Sequence, residues 1–182
     1  ECTENGIHLI ELPPRHQESA KHYVGLWKVL KKNHYDIVHV HGSSSMMAIE
    51  LTIAKLAGEK IRIAHSHNTM CLNMKVHKIL NPYFRKIYTK ALACGKLAGV
   101  WLFGENEFEI LPNGFHTELF AFDETERKRV RRELDIEDKL VVGHIGRFNE
   151  QKNQKYLIRA FEQVAKVRSD AVLLLVGTGP DF

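Results

Sequence analysis

The order of short apolar runs and amphipathic stretches constrains the fold of this chain most. Five- and six-residue runs rich in Val, Ile and Leu predict strands, and the longer stretches between them have the apolar spacing of helices. The expected strands cover residues 7–12, 36–41 and 61–66, and the expected helices cover 19–32 and 46–57. Alternating strands and helices favour a mainly parallel sheet with helices packed against it. The sequence therefore predicts an α/β protein.

The same pattern predicts a domain boundary shortly after Asn113-Gly114. Before it we expect a helical stretch near 82–90 and short strands at 92–94 and 108–111. A charged helix and then a strand, helix and strand follow the boundary, at 124–134, 140–146, about 153 onward and 171–176. We interpret the chain as part of one domain, a linker and the start of a second domain, at residues 1–115, 116–123 and 124–182.

The stretch HIGRFNEQKN lies where the strand at 140–146 gives way to a helix. Gly146 allows the backbone to approach a ligand closely. The helix, expected to begin near Asn153, directs its free N–H groups and positive dipole end toward the same space. Arg147 and Lys152 add two positive charges, and arginine can bind a phosphate through two parallel hydrogen bonds. This stretch predicts a site for a nucleotide diphosphate.

These features resemble the retaining glycosyltransferases of family 4, nucleotide-sugar enzymes with two Rossmann-like domains in the GT-B arrangement. The motifs that carry the resemblance follow one another in order and are Leu111-Pro112-Asn113-Gly114, Gly146-Arg147, Gln151-Lys152-Asn153 and Leu173-Leu174-Leu175-Val176-Gly177-Thr178-Gly179. The resemblance implies that a sugar moves, with retention, from a nucleotide-diphosphate donor to a glycan or lipid-linked acceptor, as in bacterial exopolysaccharide or capsule synthesis. It implies further that Gly146, Arg147, Lys152 and Asn153 bind the donor. Arg147 and Lys152 would stabilise the departing diphosphate, so that no metal ion or other cofactor is required.

The resemblance also implies elements that this sequence does not contain. Members of the family are roughly twice as long, because each Rossmann-like domain needs more than about a hundred residues. Their glycine-rich loop near the amino terminus and their pair of glutamates near the carboxyl terminus have no counterparts here. We therefore expect two incomplete domains, a central fragment of a larger enzyme that is inactive by itself. A nucleotide-binding or interaction module is the non-enzymatic alternative.

Two His-x-His pairs end two of the predicted strands. His39 and His41 share one strand face, and His65 and His67 share another, because alternate residues of a strand point to the same side. Imidazoles at this spacing can bind zinc or iron, which would suit a metal-dependent hydrolase. No carboxylate follows either pair closely, so we favour histidines that line a polar cleft and predict no metal site. The family resemblance implies that a histidine at the end of the later strand faces the donor sugar, and His67 matches that position better than His65, which is the alternative.

Small residues follow the first histidine pair. Ser43, Ser44 and Ser45 come after His41-Gly42 and offer a hydroxyl to cap the next helix. We interpret His41, Gly42 and Ser43 as part of the acceptor side of the cleft. The His-Val-His-Gly motif is also similar to that of sugar-nucleotide 2-epimerases, which share the GT-B fold. That alternative expects an acidic residue where Ser43 stands.

Charge is distributed unevenly along the chain, and this matters more than the net charge of +4. Residues 60–104 contain eight basic residues and no Asp or Glu, and in 74–90 the basic residues alternate with apolar and aromatic ones. Such a segment can lie on an anionic membrane surface, and we expect Pro82 to divide its helix in two. We therefore expect peripheral contact with the inner face of the cell membrane, and the three scattered cysteines without CxxC spacing favour a reducing cytoplasm. The basic run at 127–132 is flanked by Glu124, Glu126, Glu133 and Asp135, which suggests ion pairs within the helix, and nothing in it indicates nucleic-acid binding.

Overall fold

The structure, a computed structural model, describes residues 4–181 and divides into two compact units, Glu1–Phe115 and His116–Phe182. The first unit contains a sheet of four parallel strands in the order β1-β2-β3-β4, and the second contains two parallel strands, β5 and β6. The strands are β1 (Ile37–Gly42), β2 (Ile61–Ser66), β3 (Lys90–Ala93), β4 (Glu109–Ile110), β5 (Leu140–Ile145) and β6 (Ala171–Val176). The helices are α1 (Ser19–Asn33), α2 (Met47–Ala57), α3 (Met74–Ile87), α4 (Lys96–Phe103), α5 (Glu124–Glu133) and α6 (Gln154–Val167), with a 3-10 turn at Thr117–Phe120. The α/β prediction is confirmed.

The core of the first unit lies between three helices and one face of the sheet. Leu51 of α2, Phe84 of α3 and Leu102 of α4 are fully buried there. They pack with the small strand residues Ala64, Ala91 and Ala93. Alanines at these strand positions allow the large helical side chains to approach the sheet closely. Burying one such large side chain stabilises the fold by about 1.5–3 kcal/mol.

One predicted strand is absent. Residues 7–12 form no strand, and Ile7 and Leu9 are 57% and 61% exposed. An apolar run becomes a strand only when a neighbouring strand accepts and donates its backbone hydrogen bonds. No described strand pairs with this segment. The prediction at 7–12 is therefore wrong for the described residues.

Two helices differ from the prediction. α3 runs without interruption from Met74 to Ile87, so the expected division at Pro82 is wrong. The exposed proline removes one backbone N–H, while buried residues on either side of it, His77 and Phe84, hold both halves against the core. α4 was not predicted at all, because its apolar residues surround the helix and show no helical period. Among the described residues, no helix is both long enough and apolar enough to span a membrane.

Candidate functional site

The carboxyl ends of β5 and β6 form one side of an open cavity in the second unit. These strands pair in register up to Ile145 and Val176. Backbone hydrogen bonds continue beyond them, from the Gly146 amide to the Val176 carbonyl at 3.0 Å and from the Phe148 amide to the Thr178 carbonyl at 2.9 Å. The cavity has a volume of about 510 Å³ and is lined by Ile145, Gly146, Arg147, Val176, Gly177, Thr178 and Gly179. The two glycine-containing turns recognised in the sequence therefore lie side by side.

Close backbone contact explains why glycines occupy the second turn. Gly177 has a φ of 151°, and a Cβ there would lie 2.0 Å from the Gly146 carbonyl oxygen. A Cβ at Gly179 would lie 2.1 Å from the Phe148 carbonyl oxygen. No larger residue fits at either position unless the two turns separate. The glycines thus keep a backbone-lined surface at the end of the sheet, where α/β proteins bind their ligands.

Arg147 and Lys152 bring positive charge to this surface. Both residues are exposed, and neither forms an ion pair with another described residue. The Lys152 side chain passes over Gly146, since a Cβ added to that glycine would lie 3.9 Å from the Lys152 Cδ. Both cations are therefore available to an anionic ligand at the carboxyl ends of the two strands.

The start of α6 has the geometry expected of an anion-binding helix end. Asn153 adopts a left-handed backbone, with φ 50° and ψ 47°, and its side chain accepts a hydrogen bond from the Tyr156 amide at 3.3 Å. Asparagine tolerates this conformation better than most residues. No acidic residue lies in the first turn. The structure thus gives Asn153 a capping role at the helix start.

Gln154 holds the backbone of Arg147 in place through its side chain. The sequence did not predict this contact. The Gln154 side chain is buried, with 5% exposure, and its Nε2 donates to the Arg147 carbonyl at 3.0 Å. The same Nε2 lies 3.1 Å from His144 Nε2. These contacts fix the backbone at the point where Arg147 leaves the strand. The pattern of the sequence gave no signal for them, because an isolated glutamine is ordinary at a helix start.

In the first unit, the two histidine pairs converge. Parallel pairing places His41 beside His65. His39 Nε2 lies 3.2 Å from His65 Nδ1, and His41 Nδ1 lies 2.8 Å from His67 Nε2. We call these four residues the histidine cluster. The rings of His39 and His65 are stacked with their planes 9° apart. The spacing within each pair indicated a shared face, but only the pairing of β1 with β2 brings the pairs together.

The protonation of the cluster follows from its crowding. Burial, followed by repulsion from the imidazoles of His67, His41 and His39, lowers the pKa of His65 to about 4. The Leu111 backbone, which approaches His65 without completing a hydrogen bond to its buried Nε2, opposes this shift. Partial desolvation, followed by repulsion from neighbouring imidazoles, also lowers the pKa of His39 and of His41, although both side chains reach solvent. These three rings are therefore mainly neutral near pH 7, with one ring nitrogen of each free of a proton.

A second network holds the serine turn between β1 and α2. The predicted serine does not occupy the N-cap position, which is Met46 and makes no side-chain capping bond; the Ser44 hydroxyl accepts from the Met46 amide at 3.4 Å. The Ser45 hydroxyl instead lies 3.2 Å from Nδ1 of buried His77, which also accepts from the Ser45 amide at 3.1 Å. The Trp101 indole N–H donates to the Ser43 carbonyl at 2.9 Å. The turn that carries Gly42 and Ser43 is thus fastened to α3 and α4.

Comparison with known proteins relates the chain to glycosyltransferases. The family described as Glycosyl transferases group 1 matches residues 126–182. Among curated relatives, EpsF of Bacillus subtilis strain 168, which is described as a glycosyltransferase, is 34% identical over 159 residues, covering 80% of this chain and 41% of EpsF. The UDP-Gal:alpha-D-GlcNAc-diphosphoundecaprenol alpha-1,3-galactosyltransferase of Escherichia coli is 27% identical over 179 residues, covering 89% of this chain and 45% of the relative. The chain therefore spans less than half the length of either relative.

A solved structure extends the likeness to the fold. Anabaena HepE, crystallised with UDP and glucose, matches 98% of this chain with a TM-score of 0.76 and 16% sequence identity, and the match covers 50% of HepE. The fold thus agrees with the GT-B type of Rossmann-like domains that the sequence resemblance implied. Taken with the relatives and with the family matched by residues 126–182, this agreement confirms the resemblance to the group 1 glycosyl transferases.

Proposed function

We propose that this chain contributes the donor-binding part of a retaining glycosyltransferase that moves a sugar from a nucleoside-diphosphate donor to a hydroxyl of a glycan or lipid-linked acceptor. The observation that carries the proposal is the pair of free cations, Arg147 and Lys152, beside the two adjoining glycine turns. The E. coli relative is named for a UDP-sugar and a diphosphoundecaprenol acceptor, and HepE was crystallised with UDP. Uridine diphosphate is therefore the first donor nucleotide to test, and polysaccharide synthesis is the setting that the relatives favour.

The chemistry of the transfer needs stabilised negative charge. As the bond from the anomeric carbon to the diphosphate breaks, charge accumulates on the phosphate oxygens of the leaving group. Arg147 can bind two of these oxygens at once, while Lys152 and the amino end of α6 add further positive potential. Groups that are fixed before the reaction stabilise developing charge at little reorganisation cost, and each contributes several kcal/mol. Two cations in this position can do the work that a divalent ion does in other transferases, so the proposed reaction uses no metal.

The first unit would supply the sugar and acceptor side of the reaction. His67 follows β2, its amide donates to the Gly42 carbonyl at 3.0 Å, and its ring lies 2.8 Å from His41. A histidine fixed by its own backbone and by a neighbouring ring is well suited to orient a sugar hydroxyl. His41, Gly42 and Ser43 would line the acceptor side. This assignment of roles follows the family resemblance.

Peripheral attachment to a membrane is the second part of the proposal. The exposed side of α3 carries Lys75, Lys78 and Lys86 together with Ile79 and Tyr83, which are 76% and 47% exposed. Basic and apolar side chains on one helix surface favour binding to a membrane that contains anionic lipids. A location on the cytoplasmic face would bring the enzyme to a lipid-linked acceptor.

The alternatives fit the residues less well. A sugar-nucleotide 2-epimerase would need an acid where Ser43 stands. For a metal-dependent hydrolase we expect a carboxylate among the ligands, and the group formed by His39, His41 and His65 includes none. Conversion of a UDP-sugar to its epimer in the absence of an acceptor would favour the epimerase over transfer.

Isothermal titration of the chain with UDP, GDP and ADP, in buffer without metal ions, tests the donor site. We expect one of these nucleotides to bind, and Arg147→Ala to weaken that binding by roughly 10- to 100-fold, since a charge-assisted hydrogen bond contributes about 1.5–3 kcal/mol. Arg159→Ala, which removes an exposed arginine from the middle of α6, is the matched control and should bind like the wild type. Equal affinity in Arg147→Ala and Arg159→Ala would refute the assignment of Arg147.

A further inference from the structure

The histidine cluster provides an unusual concentration of metal-ligating atoms. One ring nitrogen from each of His39, His41 and His65 lies within 4.8 Å of the other two. His39 and His41 are exposed at the sheet surface, whereas His65 is buried with 4% exposure. The site thus has one ligand held rigidly in the fold and two that solvent can reach.

The distances suit a small ion with nitrogen ligands. Zinc binds imidazole nitrogen at about 2.0–2.1 Å, so two nitrogens in a tetrahedral site lie roughly 3.3 Å apart. His39 Nε2 and His65 Nδ1 are already 3.2 Å apart. Because the His41 side chain is exposed, it can turn toward this pair by releasing its hydrogen bond to His67.

The chemistry of the ligands narrows the choice of ion. Three imidazoles without a carboxylate suit Zn²⁺, Ni²⁺ or Cu²⁺, whereas Mg²⁺ and Ca²⁺ bind oxygen ligands. The short contacts between ring nitrogens require that one ring of each pair present an unprotonated nitrogen.

We propose that His39, His41 and His65 form a binding site for one divalent transition-metal ion of the zinc class, with a fourth coordination position open to water. Binding would take His41 away from His67, the residue to which we assign the donor sugar. A bound ion would therefore act as an inhibitor of transfer and not as its cofactor. The site itself does not depend on the proposed function, since its ligands all lie in the first unit and the phosphate turns lie in the second.

Titration of the tag-free, metal-stripped chain with ZnCl₂ at pH 7.5 tests the site directly, with the visible absorption of added Co²⁺ as a second readout of the ligand set. We expect one zinc ion to bind per chain. His39→Ala and His41→Ala should each weaken binding at least roughly tenfold. Both positions are exposed, so these variants should fold normally, which far-UV circular dichroism verifies. Addition of MgCl₂ should give no heat of binding.

Matched controls are needed because the chain has 11 histidines. His16→Ala and His116→Ala remove exposed histidines outside the cluster and should bind zinc like the wild type. Failure of the wild type to bind zinc, or wild-type affinity in either His39→Ala or His41→Ala, would overturn the proposal, as would an equal loss in the control variants. UDP titration of His39→Ala separates the two proposals, since loss of zinc binding should leave UDP binding intact.

Discussion

Gly177 is the residue of the second unit that tolerates substitution least. Its φ of 151° is unfavourable for a side chain, and an added Cβ would lie 2.0 Å from the Gly146 carbonyl oxygen. That neighbour is backbone and cannot turn aside as a flexible side chain could. We expect Gly177→Ala to reduce the free energy of unfolding of the second unit by roughly 3 kcal/mol and to abolish nucleotide binding. Urea unfolding followed by far-UV circular dichroism measures the first effect.

Gly143 provides the matched control for that substitution. It lies in the interior of β5, has no positive φ, and has open space where a Cβ would stand. Gly143→Ala should leave stability unchanged or raise it by about 0.5–1 kcal/mol, since glycine is less favourable than alanine within a strand. Equal losses in the two variants would show that the close contact of the turns is not what requires glycine.

His65 makes the stability of the first unit depend on pH. Its pKa is about 4 in the folded chain against an ordinary 6.5, so the unfolded state binds a proton more readily. Its contribution to stability is therefore full above about pH 6.5 and is lost as the pH falls toward 4. We expect a decrease on the order of 1 kcal/mol between pH 7.5 and pH 5. Urea unfolding monitored by the fluorescence of Trp27 and Trp101, both in the first unit, measures it.

The variant His65→Asn tests whether this histidine causes the effect. Asparagine does not titrate, so the fall in stability between pH 7.5 and pH 5 should be smaller than in the wild type. Some pH dependence should remain, because the pKa values of His39, His41 and His77 are lowered as well. An identical pH dependence in His65→Asn and the wild type would contradict the assignment.

At the scale of the elements, α3 connects the core to the surface that we propose contacts a membrane. Its buried side packs Phe84 and Ile87 into the core, so the opposite side is free to carry charge. We expect replacement of Lys75, Lys78, Arg85 and Lys86 by glutamine to weaken binding to phosphatidylserine-containing vesicles at least roughly tenfold, since each basic residue near the surface contributes about 1 kcal/mol. Vesicle co-sedimentation at physiological salt provides the measurement.

A control variant with the same change in net charge distinguishes vesicle binding by the α3 surface from general attraction between a basic chain and an anionic vesicle. Lys128, Lys139, Lys155 and Lys166 are exposed residues of the second unit, and their replacement by glutamine removes the same four charges. That variant should keep most of its vesicle binding. If both variants lose binding equally, the net charge of the chain, and not α3, determines attachment.

Helices and strands could be predicted where the residue pattern that determines them is local. β2 and β6 have the predicted bounds: β6 is a continuous apolar run, and β2 begins with Ile61 and Ile63 at alternate positions. The strand expected at 7–12 and the division of α3 at Pro82 were wrong because pairing and packing decided them. α4 was missed for the same reason, since a helix that is apolar on all sides has no period to detect.

At the scale of the whole molecule, the alternation of strands and helices along the sequence was enough to predict the fold. The candidate sites could be predicted from the sequence only in part. The cations and glycines at the end of β5 could be read from one short stretch. Gln154 and His77 could not, because their contacts join residues from different elements. The convergence of His39 and His65 depends in the same way on the pairing of β1 with β2. A local pattern thus identifies the type of chemistry, whereas tertiary packing decides which side chains meet.

The division into two units gives a last prediction. Both tryptophans belong to the first unit, whereas the proposed diphosphate site belongs to the second. UDP at 100 times its dissociation constant should stabilise the unit that binds it by about 2.7 kcal/mol. Circular dichroism should therefore report a shift of the unfolding transition toward higher urea, while tryptophan fluorescence should report none. A shift of the tryptophan transition as large as that seen by circular dichroism would mean that the diphosphate is not held by the second unit alone, and the cations at β5 would then be only part of its site.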